Sequence, residues 1–173
     1  MTIADNAVRV QGIAFVDLEA SGLGSNAFPT ELGWAIIGEG GFVESGSCLI
    51  RPPPQWNLYR NAWSAAAERL TGITREMLDR DGLPPREVMK RVLDAVGDRD
   101  LFSDERDFDS HWFSMLADAE GTSIEERTLG DARKLIEQMG LTIAFDEPPR
   151  HRAEADARRL ALAFARALTS VRP

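Results

Sequence analysis

The chain has 173 residues, a formal net charge of −8, 43% hydrophobic residues and 28% charged residues. That length suits one domain with a core of its own, and the composition is that of a soluble globular protein. The acidity argues against broad binding to duplex nucleic acid, which needs a basic face, but not against a phosphate-bearing substrate met by metal ions in a carboxylate cluster.

No apolar stretch approaches the ~20 residues that span a bilayer. The N-terminus lacks the basic start and apolar core of a secretory signal, and Cys48 is the single cysteine, so a reducing cytoplasm is expected and no membrane partner. Residues 1–11 read as a loose lead-in to one domain covering residues 1–173. Ile13–Asp17 is an apolar run expected to form a buried strand, followed by the loop Ser21-Gly22-Leu23-Gly24-Ser25. Leu32–Ile37 and Phe42–Ile50 read as two further strands joined through Gly38-Glu39-Gly40-Gly41, so the chain opens with a three-stranded antiparallel meander.

Arg51-Pro52-Pro53-Pro54-Gln55 breaks the pattern, and Trp56, Tyr59 and Trp63 decorate the loop that follows. A short helix is expected over Ser64–Leu70 with Ser64 as its N-cap, and Thr74 caps a second. Pro84-Pro85 opens a helix running through Val96, with Val88, Val92, Leu93 and Val96 at helical spacing. Asp100–Ser103 reads as a short strand. Helices are expected from about Asp109 to Leu116, over Leu129–Met139 stopped by Gly140, and from about His151 to Leu168. The last carries Leu160, Leu162, Ala163 and Leu168 among arginines.

Side chains alternate across a strand, so Asp17 and Glu19 project from one face, one pleat apart. Two adjacent carboxylates repel unless a cation lies between them, and a hard divalent ion such as Mg²⁺ takes oxygen ligands. The Asp118-Ala119-Glu120 pair, at a helix end, reads instead as solvated surface charge. His151 sits at the mouth of the last helix and Asp156 about a turn inside it, so an imidazole and a carboxylate can converge there.

Phe15-Val16-Asp17-Leu18-Glu19-Ala20-Ser21-Gly22-Leu23, Glu31-Leu32-Gly33 and His151-x-x-x-x-Asp156 together resemble the DEDDh group of 3′→5′ exonucleases. That group includes the proofreading subunit of DNA polymerase III, ribonuclease T, oligoribonuclease and the TREX enzymes. Ala67-Glu68-Arg69-Leu70-Thr71-Gly72-Ile73-Thr74 looks like the group's segment between the meander and its middle motif. That motif usually reads His-Asn-x-x-Phe-Asp, whereas this chain has Asp104-Glu105-Arg106-Asp107-Phe108-Asp109. Phe108-Asp109 matches its end, so Asp109 is taken as the third carboxylate, Asp104 as the runner-up and Asp107 as the weaker choice.

The resemblance implies an α/β, ribonuclease H-like fold, with a mixed central sheet flanked by helices. It implies that Asp17, Glu19, Asp109 and Asp156 hold two Mg²⁺ or Mn²⁺ ions about 3.5–4 Å apart, with His151 as general base. Nucleoside 5′-monophosphates would leave the 3′ end of single-stranded RNA or DNA, RNA being favoured slightly. Ala20, Ser21 and Leu23 would meet the terminal nucleotide, and Asp104 would touch substrate. Two other readings are a catalytically silent nucleic-acid-binding module of the same fold and a structural or partner-binding domain whose acidic residues are only surface charge.

Glu31 receives no role and is expected at a strand end facing solvent. Trp56, Tyr59 and Trp63 either stack bases or pack the Pro-rich loop, with packing preferred. His111 is expected on a helix surface. Arg158, Arg159 and Arg166 are either a solvated helix face or phosphate contacts. A homodimer is compatible with the size, although no self-complementary patch is legible.

Overall fold

Every residue of the opening strand is apolar up to Val16, and its two rows of side chains enter two different cores. The structure, a computed structural model, describes residues 11–57, 62–119 and 128–170. The expected lead-in therefore lies almost wholly outside the described residues, as do Tyr59 and Glu120. Strand β1 covers Ile13–Ala20, longer than its apolar run, because antiparallel pairing with β2 (Pro29–Ile37) continues through Leu18↔Leu32 and Glu19↔Glu31. β3 (Val43–Leu49) pairs antiparallel with β2 and completes the expected meander. Gly40 and Gly41 have φ of 72° and 82° in the connecting turn, a conformation for which glycine is suited.

The expected helices after the meander are present: α1 (Ala65–Thr71) with Ser64 as N-cap, α2 (Arg75–Asp81) with Thr74 as N-cap, and α3 (Pro85–Val96). β4 (Asp100–Ser103) runs parallel to β1. α4 covers Arg106–Asp118, starting three residues before the expected Asp109, so Asp109 sits inside the helix.

The segment expected as a helix from Leu129 opens differently. Gly130–Asp131 forms β5, parallel to β4, and α5 covers only Ala132–Gln138. Asp131 explains the shift: its carboxylate accepts from the Arg133 and Lys134 amides and so caps the helix at Ala132. α6 runs Ala153–Ser170, leaving His151 just outside it.

The sheet order is β3-β2-β1-β4-β5, mixed, with helices on both faces. Ala14, Val16 and Leu18 of β1 join Leu32, Val88, Val92 and Trp112 in the core on one face. Ile13 and Phe15 join Ala35, Leu160 and Phe164 on the other, where the Phe15 and Phe164 rings lie 5.2 Å apart. The buried face of α6 includes Ala157, Leu160, Ala161, Ala163, Phe164 and Ala167. Leu162 and Leu168, expected on that face, are only partly buried. Small residues let the helix lie close to the sheet. No helix among the described residues is long and apolar enough to cross a membrane.

Asp17 and Glu19 continue the row that begins with Ile13 and Phe15, so both carboxylates face α6 where its apolar packing gives out. Gly33, paired with Asp17, sits directly under the start of that helix. A Cβ at Gly33 would lie 2.1 Å from the Ala153 carbonyl carbon. Gly33→Ala is therefore expected to cost upward of about 2 kcal/mol in chemical denaturation. Gly24→Ala, with nothing within 4 Å of the added carbon, should stay close to wild type.

Candidate active site

The end of β1, the first turns of α4 and the mouth of α6 meet around a pocket of about 590 Å³. Carboxylate oxygens of Asp17, Glu19 and Asp156 lie within 4.8 Å of one another. Asp109, 1% exposed, lines the same pocket from α4. Its carboxylate accepts a short hydrogen bond from the Ser103 hydroxyl and another from the Leu18 backbone amide. Ser103, at the end of β4, was not singled out in the sequence, and its position six residues before Asp109 was the available signal.

The charges are poorly tolerated as they stand. Burial, then the neighbouring carboxylates Asp109, Glu19 and Asp156, hold the Asp17 carboxyl well above its ordinary value. Burial and the nearby Asp156 and Glu31 carboxylates push Glu19 up to about 8. Burial raises Asp109 to about 7, against the hydrogen bond from Ser103. A divalent cation among these oxygens would relieve both the burial and the repulsion, so the donor set suits a hard metal ion.

Asp156 also braces the backbone that leads into its helix. Its carboxylate accepts from the backbone amides of Arg150 (2.9 Å) and His151 (2.7 Å) and, at 3.4 Å, from that of Arg152. These bonds hold the approach to α6, where His151 adopts φ 55°, unusual for a residue other than glycine. His151 lines the pocket in that conformation.

Glu31 overturns its expected placement. It is 1% exposed rather than facing solvent. It accepts from Arg152 Nε and a terminal guanidinium nitrogen (2.9 Å each), from the Ala153 amide (3.0 Å) and from the Ser47 hydroxyl (2.8 Å). Burial alone would raise its carboxyl, but the hydrogen bonds from Arg152, Ser47 and Ala153 outweigh that and hold it below its ordinary value. The carboxylate thus pins the first residue of α6 to the meander. Its partner Arg152 was missed because 121 residues separate the two.

The remaining expected residues divide. Ala20, Leu23 and Asp104 line the pocket, and Leu23 is 88% exposed at its rim. Ser21 is buried. Its hydroxyl donates to the Ala62 carbonyl (2.5 Å) and accepts from the Phe28 amide (2.9 Å), so it braces the loop. Asp107 points outward and pairs with Arg106. Trp56 and Trp63 lie against Phe28, with ring centroids 6.3 and 6.0 Å apart, which is the packing alternative. His111 is exposed beside Trp112, outside the pocket.

No protein-family model matches the chain, and no curated protein matches it. Solved structures do. The nuclease domain of 3′hExo, a DEDDh family member, bound to rAMP, superposes with a TM-score of 0.69 at 18% identity, over 92% of each chain. The chain has the fold of DEDDh exonucleases. A 3′-exonuclease described as recognising the 3′ end of a histone mRNA stem-loop gives 0.68 at 17% identity, with 92% of this chain and 64% of that one covered. A zinc-bound E. coli ExoI–ssDNA complex gives 0.64 at 16%, and there this DEDDh-like chain spans 93% of itself but 41% of the exonuclease. The ribonuclease H-like sheet expected from the sequence is thus the observed one.

Two measurements follow from the site. Glu31→Ala should cost about 3 kcal/mol in denaturation, because it leaves Arg152, the Ala153 amide and Ser47 without their acceptor. In EDTA, Glu19 and Asp109 bind protons more tightly folded than unfolded. Their stabilisation should therefore be full below about pH 3.8, where both groups are protonated even when unfolded, and be lost as pH rises toward about 8. A melting temperature that rose across that window in wild type, but not in Glu19→Gln, would contradict the assignment.

Proposed function

We propose that the chain is a metal-dependent 3′→5′ exonuclease acting on single-stranded nucleic acid. The observation that carries this reading is the convergence of Asp17, Glu19 and Asp156 on one point of a pocket that Asp109 and His151 also line. The DEDDh fold supports it.

In this reading Asp17, Glu19, Asp109 and Asp156 hold two Mg²⁺ or Mn²⁺ ions. The chemistry such ions supply when bound is activation of a water and stabilisation of the departing 3′ oxygen. His151 accepts the proton of the attacking water at an imidazole nitrogen, and the Asp156 carboxylate fixes its backbone. Ser103 and the Leu18 amide keep Asp109 turned toward the pocket. Leu23 and Ala20 meet the terminal nucleotide, and Leu23, exposed at the rim, offers an apolar surface to its base. The products are nucleoside 5′-monophosphates. RNA is favoured slightly over DNA, on the chain's acidity.

A 5′-labelled single strand incubated with Mg²⁺ or Mn²⁺ should shorten stepwise from its 3′ end. Asp17→Ala should abolish shortening, and His151→Ala should slow it about 10²–10⁴-fold. Matched RNA and DNA strands should differ in initial rate, RNA being faster. Binding that persists in EDTA with no shortening in either metal would instead make this a silent binding module of the same fold.

A further inference from the structure

The arginines of α6 are neither scattered nor all in solvent. Arg158, Arg159 and Arg166 gather with Arg150 around a second depression of about 310 Å³, where they face Asp146 and Glu147. Cations outnumber anions two to one there, on a chain of net charge −8. Arg159 also lines the catalytic pocket, so the two depressions share that side chain.

The Arg159 guanidinium is enclosed but imperfectly paired. Its side chain is 17% exposed, and its buried Nε has no hydrogen-bond partner although Asp156 Oδ1 lies 3.4 Å away. Asp104 is 3.9 Å from its terminal nitrogen, and the guanidinium stacks on Phe145 at 4.1 Å. The Nε is enclosed beside Asp156, whereas the terminal nitrogen, with its Asp104 partner at 3.9 Å, is the donor that a phosphate oxygen can reach. Arg166 pairs with Asp146 at 3.0 Å and Arg150 with Glu147 at 2.5 Å, both pairs being largely exposed. Exposed pairs of this kind contribute little to stability, so an incoming phosphate can replace them. Arg158 is tied at one nitrogen to the Val43 carbonyl. Seven residues separate Arg159 from Arg166, ~10 Å along the helix axis, which suits a run of backbone better than one isolated phosphate.

The geometry points to this depression as a track for the phosphodiester backbone of a single strand. With the 3′ end in the catalytic pocket, the upstream phosphates pass Arg159 and continue over Arg166 and Arg150. The placement of the 3′ end rests on the exonuclease reading. Planar guanidinium forks match phosphate oxygens, and a local track explains how an acidic chain holds a polyanion without a basic face.

The test is fluorescence anisotropy of the full chain in Mg²⁺, over a salt series. The probes are a 5′-labelled trinucleotide and a longer single strand, both with phosphorothioate linkages at the 3′ end. Each neutralised phosphate of a single strand adds about 0.7 to the log–log salt slope. Arg150→Gln with Arg166→Gln should weaken the longer strand about tenfold and lower its slope by roughly 1 to 1.4, with a smaller effect on the trinucleotide. Asp146→Asn should act in the opposite direction and tighten the longer strand. Melting temperatures establish that the variants fold.

Equal losses on both lengths, an unchanged slope, or weaker binding in Asp146→Asn would overturn the track. An acidic peptide that competes as well as the oligonucleotide would also overturn it and give the groove to a protein partner. The two readings fail separately. Loss of slope with no hydrolysis of any strand keeps the track and removes the exonuclease, whereas hydrolysis with an unchanged slope does the reverse.

Discussion

The arrangement depends on one buried carboxylate. Glu31, on the second strand, takes four hydrogen bonds from Arg152, Ala153 and Ser47 and so fixes where the last helix begins. Gly33, two residues on, lets that helix approach the sheet at backbone distance. Everything the last helix brings to the pocket inherits this placement, Asp156 from its first turn and His151 from its approach. A buried ion pair is weak evidence for stability in general, because desolvation offsets much of the attraction. Here its value is positional. It ties together two segments far apart in sequence at the point where the site needs them together.

Around that anchor the protein holds charges that oppose one another. Asp17, Glu19 and Asp109 are all raised by burial and by neighbouring carboxylates, whereas Glu31, next to Glu19 across the strand pair, is lowered because its hydrogen bonds outweigh its burial. Neighbouring acids thus have opposite fates. The one facing Arg152 is satisfied and structural, and those facing the pocket are the ones a cation would stabilise. The contrast separates a structural carboxylate from candidate ligands more sharply than exposure does, since Asp109 is as buried as Glu31.

Much of this was legible in the sequence because it was local. The alternation of Ile13, Phe15, Asp17 and Glu19 put two carboxylates on one face, Ser64 and Thr74 announced helix starts, and the glycine turn after Ile37 marked the meander. What could not be read depended on partners far along the chain. Glu31 looked like a solvent-facing strand residue because nothing near it in sequence reveals Arg152. The short β5 was hidden in a helical pattern and emerged only because β4 offered it an edge. Ser103 and the left-handed conformation of His151 are consequences of the fold, set by the carboxylates of Asp109 and Asp156. The middle motif departs from the family pattern at Asp104 and Glu105, and the structure places Asp104 beside Arg159 rather than among the clustered oxygens.

Burial and neighbouring carboxylates favour the protonated forms of Glu19 and Asp109, so a cation bound among them should displace protons. Calorimetric titration of Mn²⁺ into the protein near pH 7, in buffers of different ionisation enthalpy, measures this directly. Saturable binding with net proton release is expected, with the release reduced in Glu19→Gln. Absence of saturable binding, or binding of unchanged affinity in Glu19→Gln, would contradict the assignment of Asp17, Glu19, Asp109 and Asp156 as a metal site.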